Sequence, residues 1–123
     1  MRKINTVCRA IQTAKRKNGE VAMKISIKSE NGTAVAMLSG SIDIHTVRSA
    51  MSEIDNYVST VQPHKLIVDL TNAIFADSSV VGLIIGRYKL MKEHEGKLEV
   101  RNPNTSLRQA FRISGIERIV KIV

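Results

Sequence analysis

Tryptophan is absent from this chain of 123 residues, and cysteine occurs once, at Cys8. A lone thiol excludes an intrachain disulfide and a cysteine-based zinc cluster, and it fits a reducing compartment. Aromatic residues make up only 3% of the chain: Tyr57, Phe75, Tyr88 and Phe111. Core volume therefore has to come from Val, Ile, Leu, Met and Ala. The same scarcity argues against a stacking surface for single-stranded nucleic acid. No stretch approaches the roughly 18 consecutive apolar residues of a membrane span. The amino-terminal stretch MRKINTVCRAIQTAKRKNG is basic but holds no apolar block of about 7–15 residues, so it does not read as a signal peptide. The expectation from these absences is a cytoplasmic protein.

What is present is charge, and its placement matters. The formal net charge is +8, which raises the question of nucleic acid. Residues 1–22 hold six basic side chains (Arg2, Lys3, Arg9, Lys15, Arg16, Lys17) against Glu20 alone. The remainder is close to balanced. The basicity thus belongs mainly to a tail, and direct nucleic-acid binding is not expected. The length fits one domain that buries about two thirds of its unfolded surface without metal or disulfide.

Apolar spacing divides the chain into elements. Ile4, Val7, Ile11 and Ala14 stand at helical spacing, so residues 1–17 read as a short basic helix broken at Asn18-Gly19. Residues 24–28 alternate as a half-buried strand, and 33–38 form a second strand candidate. Asn31-Gly32 between them is a strong hairpin signal. Ile44, Val47, Met51, Ile54 and Val58 mark an amphipathic helix over about 44–60, closed by Pro63. Residues 66–70 (LIVDL) are nearly continuous in apolar character, which suits a strand covered on both faces. After a loop, a helix runs from Asp77 or Ser78 to Glu95-Gly96, with either residue a natural N-cap. A strand at 97–100, a helix after Asn104 closed by Gly115, and a last strand over 117–123 complete the order β-β-α-β-α-β-α-β. Such alternation predicts an α/β domain with a mixed, mostly parallel sheet and helices mainly on one face. Val35, Leu38, Ile54, Val68, Leu70, Ile84 and Phe111 are the expected core.

Few catalytic patterns present themselves. His45, His64 and His94 are too far apart for a paired-ligand motif, and neither a metal nor a cofactor is implied. No Walker or dinucleotide glycine loop occurs, and no serine lies in a nucleophile elbow. Asp43 and Asp77 are a conceivable carboxylate pair, but both also read as helix caps. Asp77-Ser78-Ser79 is the best local signal. A serine at a helix N-terminus lies beside unpaired N–H groups and the positive end of the helix dipole, a place suited to phosphate. Capping explains such a serine equally well.

The stretch LIVDLTNAIFADSSVVGLIIGRYKLMKEHEGKLEV at 66–100 resembles the central segment of the anti-sigma-factor antagonists of the STAS family. Leu38-Ser39-Gly40-Ser41-Ile42-Asp43 is similar to the family's motif before its first helix. Leu107, Phe111 and Ser114-Gly115-Ile116 are similar to its closing segment. The resemblance covers residues 23–123 and implies a single STAS domain. It further implies a protein-binding module rather than an enzyme, with Ser78 as phosphorylation site and Asp43, Asp77, Ser78, Ser79 and Val80 in the partner contact. The implied partners are an anti-sigma factor with a histidine-kinase-like ATPase fold, acting as serine kinase, and a PP2C-type phosphatase. The family usually has glycine where Val80 stands, so the resemblance leaves room for a different cognate kinase or a non-sigma target. The rival readings are a STAS subunit of a lipid-transport or stress-sensing assembly, a small nucleic-acid binder using the basic tail, and a hydrolase built on Ser78.

Residues 1–22 lie outside the resemblance and read as a basic extension, either a mis-assigned start or a segment poorly packed on the domain. Gly19-Glu20-Val21 is encodable by codons that include a ribosome-binding sequence, and Met23 follows. If the start is mis-assigned, the intact mass of the native protein falls below the 13.6 kDa of the full chain; a mass at that value retains the extension.

Overall fold

The computed structural model describes residues 8–15 and 18–123. Strands β2 (Val21–Glu30) and β3 (Thr33–Ile42) form the expected hairpin. Asn31 and Gly32 turn it, with φ of 54° and 84°, both in the left-handed region that an Asn-Gly pair tolerates. The turn pairs Glu30 with Thr33 and so sets the register of the whole hairpin, Ile27 opposite Ala36 and Ile25 opposite Leu38.

That register corrects one expected core position. Residues 34–38 are apolar at every position, so alternation alone leaves the buried face undecided. Pairing with β2 turns Ala34, Ala36 and Leu38 inward, and Val35 lies on the opposite face, half-buried. The other six expected core residues are buried.

The basic helix expected over 1–17 is a second correction. Its described part, Cys8–Lys15, is a strand, β1, antiparallel to β2 from Cys8 opposite Ser29 to Ala14 opposite Met23. Ile4 and Val7 of that expected stripe lie outside the described residues. Helical spacing in a short segment is a weak preference, and a free edge on β2 offers ladder partners to the backbone groups of β1 that face it. Ala14 packs partly buried against the core.

Helix α1 (Val47–Val61) buries Val47, Ala50, Ile54, Tyr57 and Val58. Ile44, expected on that stripe, precedes the helix and is exposed. Gln62 ends α1 in a left-handed conformation, φ 53°, and Pro63 follows. Strand β4 (Lys65–Ala76) is longer than expected, for it takes in the residues read as a loop. Helix α2 (Ser79–Glu93), strand β5 (Lys97–Arg101) and helix α3 (Thr105–Ser114) follow as anticipated. Asn104 caps α3 by accepting the Leu107 N–H at 2.8 Å. The closing strand is shorter than read: Gly115, at φ 80°, leads into a 3₁₀ turn over Ile116–Arg118, leaving only Lys121–Ile122 as β6.

The six strands lie in chain order, β1-β2-β3-β4-β5-β6, antiparallel up to β3 and parallel beyond. Each crossover steps to the next strand in the same direction, and crossovers of one hand then lie on one face. Accordingly Leu66, Val68 and Leu70 of β4 share one core with Ile54 of α1, Ile84 of α2 and Phe111 of α3. Each such side chain, fully buried, contributes about 1.5–3 kcal/mol. Among the described residues no helix covers the other face.

Gly40 holds β3 against β2. Its φ is 88°, and a Cβ there would lie 2.4 Å from the Ala22 carbonyl oxygen. Gly19 has a similar φ of 87° with nothing within 4 Å. Gly40→Ala is therefore expected to destabilise the domain by more than the roughly 1–3 kcal/mol of backbone strain alone, and by more than Gly19→Ala does; denaturant unfolding of the two variants measures the difference.

Candidate functional site

The carboxyl ends of β3 and β4 adjoin, where open α/β sheets commonly place their sites. Two register shifts between these strands, near Ser39 and Ser41, give β4 extra residues and bring Ser41 opposite Phe75 and Ile42 opposite Ala76. The Asp77 N–H then donates to the Ile42 carbonyl at 3.2 Å. The Asp43 loop and the Asp77-Ser78-Ser79 corner thus form one surface.

Each aspartate holds the turn that leads into a helix. The Asp43 carboxylate accepts the N–H groups of His45 at 2.9 Å and Thr46 at 3.1 Å. Thr46, itself buried, donates its hydroxyl to the Ser41 carbonyl at 2.9 Å and accepts the Asp43 N–H at 2.9 Å. This closed set of bonds fixes the turn into α1. At α2 the Asp77 carboxylate accepts both the N–H of Ser79, at 2.8 Å, and the Ser79 hydroxyl. The Ser79 hydroxyl bond holds the Asp77 carboxyl below the usual carboxylate range; partial burial opposes this, while the Ser79 and Ile44 N–H groups reinforce it.

Between these two residues Ser78 is exposed. It occupies the N-cap position, φ −65° and ψ −11°, yet its side chain makes no capping hydrogen bond. Asp77 performs the capping, so the Ser78 hydroxyl is left to solvent at the amino end of α2. Sequence reasoning left the cap open between Asp77 and Ser78, and the backbone conformation decides it.

Val80 takes a different place from the one expected. It is fully buried in the core beneath α2, so its side chain is not at the surface, where a contact with a partner was expected of it. Its side chain fills volume under the first turn of α2, which a glycine would leave empty. The helix surface beyond Ser78 is instead bare: a Cβ at Gly82 or Gly86 would meet nothing within 4 Å. Among the described residues nothing packs on either glycine. Arg87 anchors the helix, its Nε 3.0 Å from Asp55 Oδ1 on α1.

Large apolar side chains are exposed on the segments that lead into this surface. Ile44, Ile74 and Phe75 are 68%, 82% and 53% exposed. Periodicity had turned Ile44 inward and read Ile74 as part of a loop. The signal that could have found them is the presence of large apolar residues just outside periodic segments. Among the described residues no group of three His, Cys, Asp or Glu side chains could hold a metal, and no helix is long and apolar enough to cross a membrane.

The family profile described as STAS domain matches residues 24–123. The chain belongs to the STAS family. It is 30% identical over 100 residues to an anti-sigma F factor antagonist of Paenibacillus polymyxa, covering 81% of this chain and 86% of that one. Two solved structures of the anti-sigma factor antagonist SpoIIAA, each 25% identical, superpose on it. The unphosphorylated form gives a TM-score of 0.71 over 80% of this chain and 87% of that chain. The phosphorylated form, from Bacillus, gives 0.66 over 80% and 90%. The mixed six-stranded sheet with its three helices is the STAS fold.

The Asp77 carboxyl, and that of Glu99 held down by Lys65 and then Arg101 against the opposing effect of burial, both have lowered folded pKa values. Groups of this kind stabilise the fold above the ordinary carboxylate range, and the contribution is lost as pH falls through their folded values. Urea midpoints between pH 7 and pH 3 should decline less steeply for Asp77→Asn and for Glu99→Gln than for wild type.

Proposed function

We propose that this STAS domain is an anti-sigma-factor antagonist that captures its partner while Ser78 is unmodified and releases it when Ser78 is phosphorylated. The observation that carries this reading is the division of labour at the corner of α2: Asp77 and Ser79 satisfy the helix end, and the Ser78 hydroxyl is exposed without a capping bond. A kinase can take that hydroxyl without dismantling the cap.

The consequences are local. A phosphate adds about −1.5 to −2 charges beside an Asp77 carboxylate that is already held ionised. The amino end of α2 tolerates the charge, so the domain stays folded. A partner surface adapted to a neutral hydroxyl meets a solvated dianion instead. Ile44, Ile74 and Phe75 supply the apolar contact that the unmodified state offers, and Asp43 holds the neighbouring loop in shape. On this reading the chain is a binding module and not an enzyme, and it works in the cytoplasm without a cofactor and without touching nucleic acid. Its partner is an anti-sigma factor of histidine-kinase-like ATPase fold that is also the serine kinase. A PP2C-type phosphatase restores Ser78.

Ser78→Ala should retain the fold with a stability change within about 0.5 kcal/mol, since it removes no hydrogen bond. It should remain bound to the anti-sigma factor when ATP is added, whereas wild type is released. Ser78→Asp should fold and bind more weakly, the effect being partial because aspartate carries one charge and fewer acceptors than phosphate. Incubation with the kinase and ATP, followed by mass-spectrometric mapping, locates the phosphate. Phosphate on Ser79 alone would move the site by one residue. No phosphate, with binding indifferent to both substitutions, would leave the chain as a STAS subunit of a larger assembly.

A further inference from the structure

The sheet face on which no described helix packs has lysines at its margins and a short apolar strip between them, and the backbone register maps it. One cross-strand row runs Lys28, Val35, Ile67, Glu99, Lys121, with Arg9 of β1 standing opposite Lys28. The adjacent row sets Met37 beside Asp69 and Arg101. Val35 and Met37, both half-buried, therefore form an apolar strip on β3, floored on β4 by Ile67, which is buried at 4% exposure.

The acids on this face are mostly occupied. Glu99 is bound by Lys65 at 3.0 Å and Arg101 at 3.1 Å, and Asp69 accepts the Thr71 N–H at 2.9 Å together with its hydroxyl. Only Glu30, at the hairpin end, is exposed. In contrast Lys24, Lys28, Lys97 and Lys121 are exposed and form no ion pair among the described residues. The face thus has an apolar middle between two lysine-bearing margins, one on β2 and one on β5 and β6.

Parallel strands normally have both faces covered, and β4 is composed accordingly, with Ile67 turned away from the helices. From this face we infer that the side of the sheet without a described helix docks an amphipathic helix of an acidic partner, its apolar stripe on the half-buried Val35 and Met37 above Ile67 and its acidic flanks on the lysine margins. The dimensions agree. Lys28 and Lys121 stand four strand spacings apart, roughly 19 Å at about 4.8 Å each, and a helix with side chains is about 10–12 Å across. Charge argues against the other occupants: a second copy would set lysines on lysines, and residues 1–7 carry Arg2 and Lys3 without an acid. No aromatic side chain stands in either mapped row to stack a nucleic-acid base. The surface is distinct from the Ser78 corner, so this inference stands or falls independently of the phospho-switch.

The test uses the isotope-labelled full chain and a synthetic helix of about 18 residues, five turns long, with Leu on one face and Glu elsewhere. A second peptide with Lys in place of Glu is the control. The result expected is that the acidic peptide binds, more weakly as salt rises, and shifts the amide signals of Lys28, Val35, Ile67 and Lys121. The double variant Lys28→Glu/Lys121→Glu, altered only at exposed positions, should keep the wild-type melting curve and lose at least tenfold in affinity. Equal binding of the Lys peptide, signal changes confined to the helices or the Ser78 corner, or an unaffected double variant would each overturn the inference. Binding of phosphatidylglycerol vesicles to this face with no binding of the acidic peptide would overturn it in favour of a membrane surface.

Discussion

The rest of the architecture depends on how β4 is paired. It is parallel to β3 on one side and to β5 on the other, and parallel neighbours require a crossover for each step. Those crossovers supply α1 and α2, whose inward residues meet Leu66, Val68 and Leu70 in one core. The same pairing aligns the carboxyl ends of β3 and β4, so the turns after them emerge side by side. Asp43 and Asp77, distant in sequence, come together because two strands run the same way. The uncovered face has the same origin, since a sheet wound steadily in one direction places its helices on one side.

At the corner of α2 the competition between capping and availability is settled by which side chain reaches the orphan N–H groups. Asp77 lies outside the helix, where its carboxylate meets the N–H and the hydroxyl of Ser79. Ser78 already has helical dihedral angles, and a side chain in that conformation points away from the N–H groups it would have to cap. The exposed hydroxyl is thus a consequence of the aspartate before it and the serine after it. Val80 contributes from below by filling the core, which ties the first turn of α2 to the sheet.

The elements were legible wherever local chemistry and long-range pairing agreed. Asn31-Gly32 named its own turn, Asn104 and Gly115 marked both ends of α3, and the apolar runs at 66–70 and over 47–58 placed a strand and a helix. Legibility failed where a segment satisfied two patterns at once. Residues 34–38 are apolar in both phases, so only the hairpin register chose the face of Val35. Ile11 and Ala14 fit a helix, yet the free edge of β2 made a strand of Cys8–Lys15. Residues 71–76 lack a clean alternation because the register shifts interrupt it, and they extend β4 all the same.

The candidate site divides in the same way. Residue order alone determined the motif around Ser78, the chemistry of a hydroxyl between an aspartate and a second serine, and its position between a strand and a helix. These follow from short-range preferences carried by adjacent residues. Tertiary structure decided that Asp77 caps and Ser78 does not, that Val80 faces the core, that Ile44, Ile74 and Phe75 are exposed, and that no described helix packs on one face of the sheet. Each of those outcomes depends on which strands lie beside which, and strand pairing is a balance of contacts between residues far apart in the chain that no local pattern encodes.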